Sequence, residues 1–529
     1  MTRKEYEAWV RMMNQQIILN RRRSRQGIAG GSGVLGGGAA SAIDSQGVEW
    51  FAVFGDSNAF GTPQASSSPP IPTDDTMYEF DGTNVIEIDA ARISATSNGT
   101  AHSSWVKFAI DHNANTGRKV GIINCGVSGS CYENATAGVS WETNGTLYAA
   151  AVAKIQALFA LRGISKVGAV FVVLGINDAS LTTAEVQSLY NRIRVDFTDT
   201  PILQCQIGTD AVRANRIPDR KKIKDAVGSY TTGSDVLIVA NNAALLGAGL
   251  YQAGSPHPTQ AGYDLIGASF AKYFKYKPAG YSKWALSIIC SLLHDPTETR
   301  RNLINQFITD LGTAYLQAEV INLYKRGASN DVFLDWAFLQ EPQNPGGADL
   351  SSLNFVRTNG SATYFTHGLR WSSLQVGSLT DFIEMQGVVA NRTASGTLST
   401  IFGGKFSTTN ETSVSQTTVP DINARAGNTT GVSNNSETSF QSGKSYGIAR
   451  NGTTCSFVRD GVVIANAVNA SAGTPSPSIT GGLNTANTFP SATLSQPNDG
   501  DFDWHWVSRY TTVNIATIDA AFKALISAW

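Results

Sequence analysis

Charge is scarce in this chain. Only 15% of its 529 residues are Asp, Glu, Lys or Arg, and the formal net charge is −1. A near-neutral balance argues against a dedicated nucleic-acid binder, whose affinity rests on an excess of cations facing phosphates, and leaves only local basic patches. Cysteine is scarce as well. Cys125, Cys131, Cys205, Cys290 and Cys455 have no zinc-ligand spacing and are too few for a disulfide scaffold. Cys125 and Cys131 flank one glycine turn, where they either pair or stand as buried thiols. No apolar run approaches the roughly 20 residues of a membrane span, and no secretory signal opens the chain. Triplets such as Asn98-Gly-Thr100 and Asn451-Gly-Thr453 therefore read as turns rather than glycosylation acceptors. What is abundant is Gly, Ser, Thr and Asn, a balance suited to extended β surfaces and many turns. The length calls for two or three domains.

Residues 1–26 read as an amphipathic helical arm. Trp9, Met12, Met13, Ile17 and Leu19 fall roughly on one side, and Arg21-Arg22-Arg23-Ser24-Arg25 closes the segment. Two readings stand: a solvated helix end whose cations suit the C-terminal dipole, or an arm that docks on a partner, since so short a helix is marginal alone. Residues 27–46, Gly/Ala/Ser-rich as far as Ala42, are expected to form a flexible tether.

Over 47–277 apolar runs alternate with helical patterns. Strands are expected at 49–54, 119–124, 167–174, 201–206 and 235–239, with helices at 145–162, 182–197 and 259–275. Such alternation predicts parallel strands with helical crossovers, an α/β domain. A Pro/Ser/Thr-rich insertion at 60–100 interrupts it. Residues 278–332 read as a helical connector, with helices at Trp284–His294, Glu298–Leu311 and Ala314–Arg326. From 333 to 529 the character is β. Asn451-Gly452 and Asp460-Gly461 separate alternating segments, and both dipeptides favour the positive φ of a two-residue hairpin turn. A meander, hence a sandwich, is expected, with a last helix over Asn514–Ala528 packing back on it. Gly443-Lys-Ser445-Tyr-Gly447 matches the G-x-S-x-G pattern, but that motif requires a strand-to-helix elbow and a β meander follows here.

Four segments carry chemistry, each where a strand is expected to end. Phe51-Ala-Val-Phe-Gly-Asp-Ser57-Asn58 is a buried-strand pattern stopping at a tight turn, which holds a hydroxyl at the sheet edge where α/β folds bind ligands. Asn124-Cys-Gly126-Val-Ser128-Gly129, Gly175-Ile-Asn177-Asp178 and Ser255-Pro256-His257-Pro258 follow in order. Ester hydrolysis needs a nucleophile, a base and oxyanion donors. Ser57 supplies the hydroxyl and His257 the base. The backbone N–H groups of Ser57 and Gly129 and the amide of Asn177 supply the donors.

On these residues, 47–277 resembles an SGNH (GDSL-type) hydrolase, in which the serine follows Gly-Asp, a glycine and an asparagine complete the oxyanion hole, and the histidine leads into the final helix. His257-Pro-Thr-Gln-Ala-Gly262-Tyr fits that last run. The resemblance implies a flavodoxin-like α/β fold, hydrolysis of acyl esters, often acetyl groups on sugars, and no cofactor or metal. One position departs from the family. The aspartate expected three residues before the histidine is Gly254. Either a backbone carbonyl or another carboxylate supports His257, or the enzyme is slow or inactive; Asp56 and Asp178 are not assignable to that task.

Residues from about 300 to 370 resemble a module of bacteriophage structural proteins, through Asn302-Leu-Ile-Asn-Gln-Phe-Ile-Thr-Asp-Leu-Gly-Thr-Ala, Glu319-Val-Ile-Asn-Leu-Tyr, Asp335-Trp336 and Asn354-Phe-Val-Arg-Thr-Asn-Gly360. A concanavalin-like (laminin-G-like) jelly roll would follow. Trp371, Trp504 and Trp506 would either stack on sugars or pack a core. Together the resemblances imply a virion-displayed esterase acting on bacterial surface polysaccharide, held to other virion proteins by its arm as a homo-oligomer, without nucleic-acid binding or membrane insertion. The competing expectation is a structural or receptor-binding virion protein that binds glycan without cleaving it.

Overall fold

A computed structural model describes residues 41–61, 75–88, 103–132, 140–141, 146–178, 180–208, 216–230, 235–252, 255–325 and 328–340. From 342 onward it describes shorter segments, of which 381–393, 399–407, 439–468, 498–508 and 514–529 are the longest. The expected arm, most of the tether, Gly254 and Trp371 lie outside the described residues. The chain divides into two compact units. One comprises the chain up to Ile207 with Asp225–Ala240 and Gln252–Pro278. The other comprises Gly208–Lys224, Asn241–Tyr251 and Ala279–Trp529. The stretch 47–277, expected as one domain, is thus interrupted twice.

The first unit is α/β. Its strands are β1 (Val48–Gly55), β2 (Met77–Phe80), β3 (Val85–Glu87), β4 (Lys119–Asn124), β5 (Val170–Val173), β6 (Ile202–Gln206) and β7 (Val236–Asn241), in the sheet order β3-β2-β4-β1-β5-β6-β7. β2 with β4, β4 with β1, β1 with β5 and β5 with β6 pair parallel, and β3 pairs antiparallel with β2. The five expected strands and three expected helices are all present, with ends shifted by a few residues. β2 and β3 arise inside the 60–100 insertion, where no strand was expected.

β1 is central and buried along its whole length. Its Glu49 is tolerated inside because His112 Nε2 and Arg118 Nη1 each lie 3.0 Å from the carboxylate. Those partners outweigh the cost of burial and hold the Glu49 carboxyl below its ordinary range. Helix α1 (Ser57–Phe60) is a single turn directly after β1; α2 (Ser104–Thr116), α3 (Thr146–Arg162), α4 (Thr183–Asp196) and α5 (Gln260–Tyr276) are longer. Ser103 Oγ caps α2 by accepting from Trp105 N, and Gly117 ends it at φ 69°. Thr182 and Glu185 form a reciprocal capping box on α4. α2 and α5 approach closely because position 267 is glycine: a Cβ there would lie 2.1 Å from Ser104 O. Phe51, Phe108, Phe171, Phe270 and Phe274, from the sheet and these two helices, make edge, stacked and tilted ring contacts.

The second unit is built on two mainly antiparallel sheets whose residues share one core, with Phe382, Tyr446, Ile448, Phe457 and Phe502 from one and Ile401, Phe402, Val414 and Ile422 from the other. Strands Lys444–Asn451, Thr454–Arg459 and Val462–Val468 form the expected meander. Asp460 (φ 49°) and Gly461 (φ 74°) make one turn as expected. In the other, Asn451 pairs with Thr454 and the turn is Gly452-Thr453, led by Gly452 at φ 58°. Ser445 lies in a strand, so no nucleophile elbow exists there. Helix Asn514–Ala528 forms as expected and stacks Phe522 on Trp504 at 4.2 Å.

One expectation fails here. The third connector helix over Ala314–Arg326 is instead a short 3₁₀ turn, Gly312–Gln317, followed by strand Ala318–Leu323. That strand pairs antiparallel with Gly500–Ser508, and its buried β-branched residues Val320 and Ile321 suit a sheet better than a helix. Asp335 fixes the following loop by accepting from the backbone N–H groups of Ile321, Ala337, Leu339 and Gln340 at 2.8–3.1 Å. Trp504 and Trp506 are buried, so neither is a surface platform.

Candidate active site

Ser57 stands where β1 stops. Gly55 has φ 154°, and a Cβ there would lie 2.0 Å from Val173 O, so only glycine lets β1 run past β5 into the turn. Asp56 caps α1, its Oδ1 accepting from Asn58 N at 2.9 Å. Ser57 is thereby the first residue of a helical turn, where backbone N–H groups have no partner within the helix. Two longer helices hold the turn in place. Trp105 Nε1 of α2 donates to Ala59 O at 2.8 Å, and Tyr263 of α5 reaches Asn58 Oδ1 at 3.3 Å.

The loop after β4 is stitched to the same strand end. Cys125 N donates to Val53 O, while Val127 N and Ser130 Oγ both donate to Gly55 O at 2.9 Å. Ser130 N closes a turn onto Val127 O at 3.1 Å, and Gly129 occupies its third position at φ 76°, which a type II turn reserves for glycine. Asn177, after β5, donates its amide to Ser130 O at 2.9 Å. One short network therefore ties Gly129 and Asn177 to the strand that carries Ser57. All five cysteines are free thiols, Cys125 and Cys131 included. Burial pushes the Cys125 thiol up to about 11.

His257 sits before α5. Pro256 and Pro258 restrict its neighbours' backbone, and Gln252 grips the segment, its N–H donating to His257 O and its side chain to Pro258 O, each at 3.0 Å. Thr259 caps α5. His257 Nε2 lies 2.8 Å from Ser57 Oγ, across 200 residues of sequence. Partial burial lowers the ring's pKa below the ordinary histidine value, which keeps it neutral near pH 7. A serine hydroxyl facing an unprotonated imidazole nitrogen can surrender its proton as it attacks an electrophile.

Among the described residues, the group that faces His257 Nδ1 is a hydroxyl rather than a carboxylate or a backbone carbonyl. Ser255 Oγ lies 2.9 Å from His257 Nδ1 and also accepts the His257 backbone N–H at 3.2 Å. Asp56 serves as the cap described above, and both oxygens of Asp178 accept from Tyr132 N at 3.1 Å. In the sequence Ser255, a serine before proline, has the look of an ordinary turn residue. The signal was nonetheless present, since a serine two residues before a histidine can fold back on it in an ST turn. Among the described residues no group of three or more His, Cys, Asp or Glu side chains is placed to hold a metal ion, and no helix is long and apolar enough to cross a membrane.

No family model matches the chain, and no curated protein does. Among solved structures it is similar to a protein from Arabidopsis thaliana, with 16% identity, coverage of 43% of this chain and 97% of that one, and a TM-score of 0.35. NanS aligns at 12% identity over 45% of this chain and 99% of its own, with a TM-score of 0.33. Trypanosoma rangeli sialidase in complex with sialic acid aligns at 14% identity over 40% of this chain and 33% of its own, with a TM-score of 0.30. The chain thus spans about a third of the sialidase's length.

Proposed function

We propose that the protein is a serine ester hydrolase of the SGNH (GDSL) type, with a flavodoxin-like catalytic unit and a concanavalin-like β unit. Its substrate would be an acylated, foremost acetylated, polysaccharide of the bacterial surface. The observation that carries the reading is the 2.8 Å approach of His257 Nε2 to Ser57 Oγ at the end of the central strand. Ser57 Oγ attacks the ester carbonyl while His257 Nε2 takes its proton. The oxyanion is met by the N–H groups of Ser57 and Gly129 and the amide of Asn177, and His257 returns the proton to the leaving alcohol. Water then repeats the sequence on the acyl-enzyme, releasing the acid and restoring Ser57. The β unit and the basic arm support a virion setting, as an oligomer held to other virion proteins.

Ser57→Ala is expected to lower turnover of p-nitrophenyl acetate by at least about 10³-fold and to abolish covalent labelling by a fluorophosphonate. Labelling of the native protein that survives this substitution would place the reactive group elsewhere. A second reading, a glycan-binding virion protein without turnover, is favoured by one feature: a neutral hydroxyl stands where a carboxylate would stabilise the imidazolium. A native protein that binds acetylated polysaccharide yet neither labels at Ser57 nor releases acetate would establish it.

A further inference from the structure

We propose that Ser255 is a positioning residue that holds His257 in the tautomer required for proton abstraction, making the site a Ser57–His257–Ser255 relay. The inference rests on the esterase reading for its catalytic meaning, but its geometry stands apart from that reading. To accept a proton from Ser57, Nε2 must be bare, so the ring's hydrogen must sit on Nδ1 and find an acceptor. The atom 2.9 Å from Nδ1 is Ser255 Oγ.

A hydroxyl has two lone pairs and one hydrogen. One lone pair takes the His257 backbone N–H at 3.2 Å. The second is then available to the Nδ1 hydrogen, and the hydroxyl hydrogen turns away from the ring. The backbone contact also fixes where the oxygen can be, because it closes a turn from residue 255 to residue 257 beside Pro256. A hydroxyl differs from an aspartate in two respects. It can rotate and donate to Nδ1, which leaves the proton on Nε2 facing Ser57 and stalls the attack. It also carries no charge to stabilise the imidazolium formed during the reaction. The relay is therefore competent yet slower than one built on a carboxylate.

The test compares the native protein with Ser255→Ala, Ser255→Thr and Ser255→Asp by two readouts: the pH profile of kcat/KM on p-nitrophenyl acetate, and the ¹⁵N signals of the His257 ring, assigned by their loss in His257→Gln. The native ring is expected to show a protonated Nδ1 and a bare Nε2. Ser255→Ala should mix the tautomers and lower kcat roughly 10-fold, the worth of one hydrogen bond, with KM little changed. Ser255→Thr keeps the hydroxyl and should restore both readouts. Aspartate can form the same turn, and its charge should raise the ring's pKa by about one unit or more. Ring signals in Ser255→Ala that coincide with the native ones would overturn the proposal, as would an unshifted ring pKa in Ser255→Asp. Absence of fluorophosphonate labelling at Ser57 in the native protein would instead remove the esterase reading, while the ring signals still decide the role of Ser255.

Discussion

At the scale of single residues, the protonation of His257 is set by burial, which lowers its pKa. The sign of the resulting pH dependence follows. An ordinary histidine becomes charged as pH falls through about 6.5, whereas His257 stays neutral further down and remains able to accept the Ser57 proton. The acid limb of kcat/KM is therefore expected to have its midpoint below 6.5; a midpoint at or above that value would mean that an unseen anion faces the ring. The same shift makes the folded state bind fewer protons than the unfolded one. Its effect on stability is absent above 6.5, begins as pH falls below that value and is complete below the folded pKa. Ser57, Gly129 and Asn177 were legible because each follows an apolar run that ends at a turn, and His257 because it leads through Pro258 into the pattern of a helix, although β7 ends sixteen residues before it at Asn241. Ser255 was not, because a turn serine and a relay serine are the same letters until the ring stands beside the hydroxyl.

At the scale of elements, the closeness of α2 and α5 controls how firmly α1 is held, since each helix sends one side chain to it, Trp105 and Tyr263. Gly267→Ala tests this crossing. The new Cβ would stand 2.1 Å from Ser104 O and 2.9 Å from Phe108 N, both backbone atoms that cannot rotate aside. Alanine favours a helix over glycine by about 1 kcal/mol, but forcing two packed helices apart costs about 1–3 kcal/mol or more, so sterics should decide. We expect a lower urea midpoint with an unchanged slope; an unchanged or higher midpoint would show that the helices part without cost. Elements with a strong local pattern were legible: β1 and β4 as mainly apolar runs, and the hairpin strands around Asp460-Gly461 through their turn. β2 and β3 were not, being short, peripheral and set in a Pro/Ser/Thr-rich stretch. The helix expected over Ala314–Arg326 lost to a strand because its partner, Gly500–Ser508, lies nearly two hundred residues on, beyond the reach of any local pattern.

At the scale of the whole molecule, the resemblance that marks 47–277 suggests a domain that could be cut out, and the distribution of contacts argues otherwise. Gly208–Lys224 and Asn241–Tyr251 lie inside that range but fold with the second unit. Arg220 is fully buried there, donating to Leu339 O at 3.0 Å and Gly208 O at 2.8 Å. Lys224 Nζ reaches Ala318 O at 3.3 Å and lies over the Tyr315 ring, and Gly247 packs so tightly on Phe333 that a Cβ would meet its ring at 2.4 Å. Removing Ala279–Trp529 leaves Arg220 the Gly208 carbonyl but takes away Leu339 O, and it strips Lys224 of Ala318 O and the Tyr315 ring and Gly247 of Phe333. Each lost hydrogen bond from a charged donor to a buried carbonyl costs about 1.5–3 kcal/mol, and each kcal/mol moves the melting temperature of a domain this size by about 2–4 °C. A chain ending at Pro278 is therefore expected to melt about 10 °C or more below the first unit of the full protein, and to lose fluorophosphonate labelling at temperatures where the full protein retains it. A truncated chain that melts and labels like the intact one would show that the two inserted segments are passengers, and that the first unit owes its stability to its own core alone.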